Sequence, residues 1–117
     1  MTHEEMAEWL SNYGGEITYV GFKNISDLFG RSDGLITVAY CSNRVASLCS
    51  GPCTVSTGNG ICINAPDTNC LVATTDVAFC SNAGCGGGCN VLSECGVKLD
   101  RGFCYTPGTN SIGLPVT

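Results

Sequence analysis

Ten cysteines in a chain of 117 residues constrain its fold more than any other feature of the sequence. This density is typical of small secreted domains held together by disulfides, and an even count allows every thiol to be paired. Disulfides would supply stability that the small core of such a chain cannot. We therefore expect five disulfides and a secreted, extracellular protein. The ten residues are Cys41, Cys49, Cys53, Cys62, Cys70, Cys80, Cys85, Cys89, Cys95 and Cys104.

A thiol-rich metal site is the alternative use of these cysteines, because the C-x3-C pairs Cys49/Cys53 and Cys85/Cys89 have a permitted spacing. The only histidine, His3, lies far from every cysteine, and ten thiols would overfill one or two zinc sites. We therefore favour disulfides and expect no metal or other cofactor.

Six residues recur almost unchanged, as VAYCSN at 38–43 and VAFCSN at 77–82. Similar cysteine patterns follow each copy, and a Pro-x-Thr-Asn sequence occurs later in both. A period of this length is typical of duplicated supersecondary units. We interpret residues 34–70 and 73–111 as two divergent copies of one unit with five cysteines each. Chance recurrence of a cysteine-rich string is the alternative.

The duplication limits the possible disulfide pairings. Because each copy contains an odd number of cysteines, full pairing needs an odd number of bridges between the copies. Aligned on the repeated motif, the copies leave Cys70 and Cys95 without cysteine counterparts. The simplest hypothesis is one Cys70–Cys95 bridge between copies, with equivalent bridges inside each. The alignment stays open, because the spacing from Cys95 to Cys104 also matches that from Cys53 to Cys62.

A helix is predicted near the start of the chain, over residues 3–13. Thr2 and Glu5 form a T-x-x-E capping box, and Gly14 and Gly15 provide the signal that ends the helix. Apolar residues at helical spacing form one stripe, which would pack against the disulfide-rich part of the chain. The stripe consists of Met6, Trp9, Leu10 and Tyr13.

The predicted fold class is small, disulfide-rich and mainly β. A strand is expected at 16–22, and the two copies are expected to contain β-hairpins, with the best candidates at 53–63 and 95–105. A shift in composition and a turn signal indicate a boundary near residue 34. An N-terminal helix and strand segment, 1–33, then precedes a disulfide-rich domain, 34–117, that contains the two repeats.

The charge of the chain argues against several partners. The net charge is −5 and no run of lysine or arginine occurs, so we expect no nucleic-acid partner. No apolar stretch approaches the ~20 residues of a membrane-spanning helix, so we expect no membrane insertion.

The opening residues, MTHEEMAEWL, lack the basic start and continuous apolar stretch of a signal peptide. We expect that a secretion signal has been removed ahead of them. Asn24 begins an Asn-x-Ser sequon and is a possible glycosylation site on a secretory route.

The sequence offers no recognisable catalytic constellation, and we expect a non-enzymatic protein. A serine or cysteine nucleophile usually needs a positioned histidine, and His3 lies near the chain terminus. The glycines at 86–88 lack the context of a phosphate-binding loop. The acidic residues of the disulfide-rich part show no paired spacing, and they are Asp67, Asp76, Glu94 and Asp100.

Four aromatic residues flank cysteines and are candidate ligand contacts: Tyr40, Phe79, Phe103 and Tyr105. Aromatic residues beside disulfides are more often part of the core, and sugar binding would require several of them exposed on one face. The chain also lacks the adjacent Cys-Cys pairs of the chitin-binding module of plant lectins. The SGPC sequence at 50–53 is the best candidate for an inhibitory loop.

Several stretches resemble a family of small cysteine-rich secreted proteins of mushroom-forming fungi, chiefly bracket fungi. These stretches are EEMAEWL, ITYVGF, VAYCSN, SLCSGPCTV, GNGICINAPDTNCL, DVAFC, CGGGCN and LDRGFCYTPGT, which together span nearly the whole chain. Some members are described as fungal immunomodulatory proteins that stimulate mammalian macrophages or B cells through Toll-like receptors.

The resemblance implies a secreted, non-enzymatic protein to which mammalian innate immune cells respond, with a cell-surface receptor or glycan as its partner. It also implies that residues 1–33 are a propeptide. A fungal cell-wall or carbohydrate-binding protein is the first alternative, and a defensive toxin or protease inhibitor is the second.

Overall fold

The computed structural model describes residues 1–20 and 35–116, and within them it has one α-helix and seven β-strands. The predicted fold class, small, mainly β and disulfide-rich with an N-terminal helix, is confirmed. The predicted glycosylation site, Asn24, and the predicted boundary near residue 34 lie outside the described residues. The elements are α1 (His3–Asn12), β1 (Ile17–Val20), β2 (Ile36–Val45), β3 (Leu48–Gly58), β4 (Cys62–Ala73), β5 (Ala78–Cys80), β6 (Cys89–Val91) and β7 (Cys104–Gly113).

Helix α1 begins at the predicted capping box. The backbone N–H of Glu5 donates to the Thr2 hydroxyl at 3.0 Å, and the Glu5 carboxylate accepts from the Thr2 N–H at 2.9 Å. Hydrogen bonds from Thr2 to the Glu5 carboxylate, first from the backbone N–H and second from the side chain, hold the pKa of Glu5 below its usual value. The predicted stripe faces inward, since Met6, Trp9 and Leu10 are buried. The capping and packing signals are both local, and the predicted helix is confirmed to within one residue.

All seven strands form one sheet in the order β1-β3-β2-β4-β7-β5-β6. Strand β1 pairs with β3 in parallel, and the other neighbours pair antiparallel. The predicted hairpin at 53–63 is wrong, because β3 and β4 lie on opposite sides of β2. The tight turn at residues 46–47 places β3 on one edge of β2. The chain that leaves β3 must therefore cross to the other edge.

The second predicted hairpin, at 95–105, is present only as a short ladder. Lys98 forms an isolated bridge with Cys104, and the Leu99 N–H donates to the Phe103 carbonyl at 2.7 Å. A 3-10 turn at Asp100–Gly102 connects the two sides.

The strands form two groups of three, β3-β2-β4 and β6-β5-β7, which meet where β4 pairs with β7. The pairing in the two groups is similar. Cys41 lies opposite Cys53 in the first group, and Cys80 lies opposite Cys89 in the second. The pairs Tyr40↔Leu71 and Phe79↔Ile112 correspond in the same way.

The core lies on both faces of this sheet, because successive side chains of a strand point to opposite sides. The helix-face cluster lies under α1, and the far-face cluster lies on the other side of the sheet. The buried helix-face cluster is Met6, Ala7, Trp9, Leu10, Ala39, Cys41, Cys49, Cys53, Val55, Cys70, Val72, Leu99 and Phe103. The buried far-face cluster is Ile36, Val38, Ala65, Leu71, Ala73, Val77, Ile112 and Leu114.

All ten cysteines form disulfides. The bridges are Cys41–Cys53, Cys49–Cys70, Cys62–Cys85, Cys80–Cys89 and Cys95–Cys104.

The predicted Cys70–Cys95 bridge is wrong. The β2–β3 hairpin brings Cys49 beside Cys70 on the helix face, and the short ladder before β7 brings Cys95 beside Cys104. One bridge does join the segments predicted to be copies, as the odd cysteine counts require. That bridge is Cys62–Cys85.

Candidate functional site

Phe103 cannot contact a ligand, because only 1% of its surface is exposed. Its ring lies in the helix-face cluster, with its centroid 5.1 Å from that of Trp9. The prediction that Phe103 is a ligand contact is therefore wrong, and its role is to pack α1 against the sheet.

Tyr105 is half-buried and packs on the same cluster. The guanidinium of Arg44 lies 4.5 Å from the centroid of its ring, in a cation–π contact. The Nε of Arg44 also donates to the Ala46 carbonyl at 2.6 Å, which holds the guanidinium in place. An internal cation thus already covers one face of the Tyr105 ring.

Tyr40 and Phe79 are half-buried and pack on the far-face cluster. The four predicted aromatic contacts are therefore divided between two faces of the sheet, and the structure does not bring them together. Of the two far-face aromatics, only Tyr40 carries a polar group.

Tyr40 lines a groove of about 260 Å³ on the far face, which we call the Tyr40 groove. Tyr40 pairs directly with Thr54 across β2 and β3, and the two side chains are hydrogen-bonded. Burial raises the pKa of the Tyr40 hydroxyl, and the bond to Thr54 opposes this rise. The phenol is therefore neutral at physiological pH. The groove is lined by Tyr40, Cys41, Ser42, Pro52, Thr54, Pro66, Asp67 and Thr68.

Asp67 supplies the only charged side chain of the Tyr40 groove. It is exposed and has a φ of 60°, a left-handed conformation that L-residues other than asparagine and aspartate seldom adopt. Its backbone N–H donates to the Asn110 side-chain oxygen at 3.4 Å. Within the described residues, its carboxylate forms no ion pair.

The corresponding positions of the second strand group have different polar groups. Phe79 takes the place of Tyr40, and Asn90 lies opposite Phe79 as Thr54 lies opposite Tyr40. Gly108, with a φ of 77°, corresponds to Asp67. Gly108 directly precedes Thr109 as Asp67 directly precedes Thr68, and these two threonines are paired across β4 and β7. The second group thus lacks both the phenol and the carboxylate.

Two other grooves contain a charged side chain that is already engaged by another residue. A groove of about 250 Å³ at the end of α1 has Arg101 in a 3.9 Å ion pair with Glu8. A wider depression contains Asp76, whose carboxylate accepts from the N–H and hydroxyl of Ser93, both at 2.8 Å. The first groove is lined by Trp9, Asn12, Tyr13, Gly14, Leu48 and Arg101.

In the sequence, Asp67 is one of four acidic residues without paired spacing, and that pattern does not nominate it as a site residue. The signal was present in the two Pro-x-Thr-Asn sequences, where Asp67 in one stands against Gly108 in the other. Because aspartate and glycine both tolerate a positive φ, the difference between the two sequences makes the Asp67 side chain a candidate for function.

His3 lies at the start of α1, with its Nε2 atom 3.2 Å from the Leu35 carbonyl oxygen. Among residues 1–20 and 35–116, no three His, Cys, Asp or Glu side chains are grouped so as to hold a metal ion. Residues 50–53, the predicted inhibitory loop, lie inside strand β3. In the same described ranges, no helix has the length and apolar character to span a membrane.

Comparison of the chain with protein-family models, with curated proteins and with solved structures gave no match.

Proposed function

We propose that this is a secreted, non-enzymatic binding protein to which mammalian innate immune cells respond through Toll-like receptor signalling. The resemblance to cysteine-rich fungal proteins supports the immune activity. The observation that carries the proposal is the complete pairing of ten cysteines, which is consistent with an oxidising, extracellular environment. The partner is then a cell-surface receptor or a glycan.

The test uses endotoxin-free recombinant protein on reporter cells that express individual Toll-like receptors. We expect a dose-dependent signal with at least one receptor and none in the parental cells. Reduced and alkylated protein is the matched control, and it should be inactive because the disulfides maintain the fold. The proposal is wrong if no receptor responds or if the alkylated chain is equally active.

Carbohydrate binding is the second candidate function, and the Tyr40 groove favours it. An aromatic ring beside a carboxylate and hydroxyl groups is a combination that suits a sugar, because the ring packs against apolar C–H groups while the oxygens accept hydrogen bonds. A glycan array tests this candidate independently of the immune assay. No observation favours an inhibitor or toxin.

We also propose that the disulfide-rich domain, 34–117, consists of two divergent copies of one unit, 34–70 and 73–111. Matching hydrogen bonds support this interpretation. The Asn69 side chain donates to the Ser42 carbonyl at 2.5 Å, and the Asn110 side chain donates to the Ser81 carbonyl at 2.8 Å.

A substituted bridge also supports the duplication. Cys49 and Cys70 form a disulfide in the first group. At the corresponding place in the second group, the Cys85 N–H donates to the Ser111 hydroxyl at 2.8 Å. The Cys85 sulfur, without a cysteine counterpart of Cys70 to pair with, bonds to Cys62.

The resemblance supports a further proposal, that residues 1–33 are a propeptide. N-terminal sequencing of the naturally secreted protein tests it, because a mature chain that starts near residue 34 is expected. A mature chain that retains α1 would contradict it.

A further inference from the structure

We propose that the Tyr40 groove binds one neutral pyranose residue of a carbohydrate chain, and that the second strand group has no such site. This inference rests on the second candidate function, carbohydrate binding. To that candidate function it adds the location of the site and the absence of charge on the bound sugar. It also adds the residues that distinguish one half of the sheet from the other.

The ring of Tyr40 provides the apolar surface of the site. It is half-buried, so one part is anchored on the far-face cluster while the rest lines the groove. The hydrogen bond to Thr54 fixes the hydroxyl end of the ring. A ring that is already held in place loses little conformational freedom when a sugar packs on it. Pro52 and Pro66 add rigid walls.

Asp67 determines the charge class of the ligand. Its carboxylate has no ion-pair partner in the described part of the chain, so its oxygens can accept hydrogen bonds from two sugar hydroxyl groups. No cationic side chain lines the groove, and the net charge of the whole chain is −5. A sugar with a carboxylate or sulfate group would therefore be repelled. Ser42 and Thr54 add hydroxyl groups beside the carboxylate.

The volume limits the size of the bound group. At about 260 Å³ the groove is smaller than the ~300–1,000 Å³ usual for drug-sized ligands. It can therefore hold a single ring, and the rest of an oligosaccharide would extend into solvent.

The difference between the two strand groups supports a selected function for the groove. The asparagine and threonine hydrogen bonds recur in both groups, and the backbone pairing around the cysteine pairs is similar. The phenol of Tyr40 and the carboxylate of Asp67 occur in only one. Glycine suits a φ of 60° better than aspartate does, so the presence of aspartate in the first group is consistent with a use for its carboxylate.

The experiment uses the double variant Tyr40→Phe/Asp67→Gly, which gives each position the residue found at its counterpart. Both substitutions suit the local structure, since phenylalanine already packs in the second group and glycine tolerates a positive φ. Asp67→Gly alone serves if the double variant does not fold. Glu94→Gln is the matched control, because it removes an exposed carboxylate outside the groove.

Binding is measured by ¹⁵N NMR titration of the oxidised protein with neutral hexasaccharides of β-1,3-glucan, N-acetylglucosamine and mannose, and with an oligogalacturonate. At least one neutral sugar should shift the amide signals of Ser42, Thr54 and Thr68. The double variant should bind that sugar about tenfold or more weakly. Glu94→Gln should bind it as the wild type does, and the oligogalacturonate should not bind.

Each contrary outcome has a distinct meaning. If the wild type binds a neutral sugar and the double variant binds it equally well, the assignment of the site is wrong while carbohydrate binding stands. Binding of the oligogalacturonate with similar affinity overturns the charge argument. If none of the neutral sugars binds, both this inference and the second candidate function fall, and the immune proposal is unaffected.

Discussion

Thr106 has a buried hydroxyl group that finds no hydrogen-bond partner within the described residues. An unsatisfied buried polar group costs about 1–3 kcal/mol, and valine has nearly the same shape without the hydroxyl. We expect Thr106→Val to raise the free energy of unfolding by about 1 kcal/mol. Chemical denaturation with the disulfides intact measures this change.

Thr109→Val is the control for that substitution. The Thr109 hydroxyl is also buried, but it donates to the Thr106 carbonyl at 2.7 Å. Its removal should lower the free energy of unfolding by about 1 kcal/mol. Equal losses in the two variants would show that the Thr106 hydroxyl is also satisfied in solution.

At the residue scale, the sequence could nominate aromatic side chains but could not assign them to a face of the sheet. Tyr40 and Phe103 both directly precede a cysteine, yet Tyr40 packs on the far face and Phe103 on the helix face. A shift of one residue in register reverses the face of every side chain in a strand. Leu71 pairs with both Tyr40 and Cys104, so Phe103 lies one residue away from the position level with Tyr40 and faces the other side. This long-range pairing cannot be read from the local sequence.

At the element scale, α1 is the clearest test of packing. Met6 is completely buried under the helix, whereas Glu4 on the outer side is exposed. Met6→Ala should lower the free energy of unfolding by about 2–5 kcal/mol, because it leaves a cavity in the helix-face cluster. Glu4→Ala should change it by no more than about 0.5 kcal/mol. The measurement is urea or guanidinium denaturation of each oxidised variant.

Similar small losses for the two variants would mean that α1 does not pack on the sheet in solution. That result would also fit the proposal that residues 1–33 are dispensable after secretion. The expected large loss for Met6→Ala would show that α1 is part of the stable fold for as long as residues 1–33 remain attached.

Helix α1 could be predicted because its signals are local, whereas strand order could not. The capping box and the apolar stripe lie within the helix itself. The predicted hairpin at 53–63 would pair β3 with β4, but β2 lies between them. Strand order depends on which segments, often distant in sequence, pair with each other. Here β3 pairs with β2 through a tight hairpin, so β4 must pair with the other side of β2.

At the scale of the whole molecule, the disulfides differ in accessibility. The four residues of the bridges Cys41–Cys53 and Cys49–Cys70 are at most 1% exposed. Cys62 and Cys89, each in another bridge, are exposed. Reduction requires direct access to sulfur, and an opening cost of only about 1.4 kcal/mol slows it tenfold. We expect Cys62–Cys85 and Cys80–Cys89 to be reduced first.

Brief treatment of the native protein with a phosphine reductant, followed by alkylation and peptide mass spectrometry, gives the order of reduction. In denaturant the order should disappear, because every bridge is then accessible. Early reduction of Cys41–Cys53 in the native protein would contradict the packing of the helix-face cluster.

That an odd number of bridges joins the two halves could be predicted, but the cysteines that form the one bridge could not. Counting requires only that each half contains five cysteines. Pairing depends on which sulfurs the completed sheet brings together, and Cys49 reaches Cys70 only after β2, β3 and β4 have assembled. The residues that distinguish the Tyr40 groove could be found by comparing VAYCSN with VAFCSN and the two Pro-x-Thr-Asn sequences with each other. The groove itself depends on the assembly of the sheet.

The two outer strands of the sheet have a consequence for behaviour at high concentration. Strand β1 has four residues and β6 has three, so the described sheet ends on short edges at both sides. Long free edges are the templates on which chains add to one another in amyloid fibrils. The Cys80–Cys89 bridge ties β6 to β5, and β5 in turn covers the end of the longer β7. Loss of the bridge would loosen both short strands from that side of the sheet. The oxidised protein should therefore resist fibril formation, and mild reduction should remove that protection.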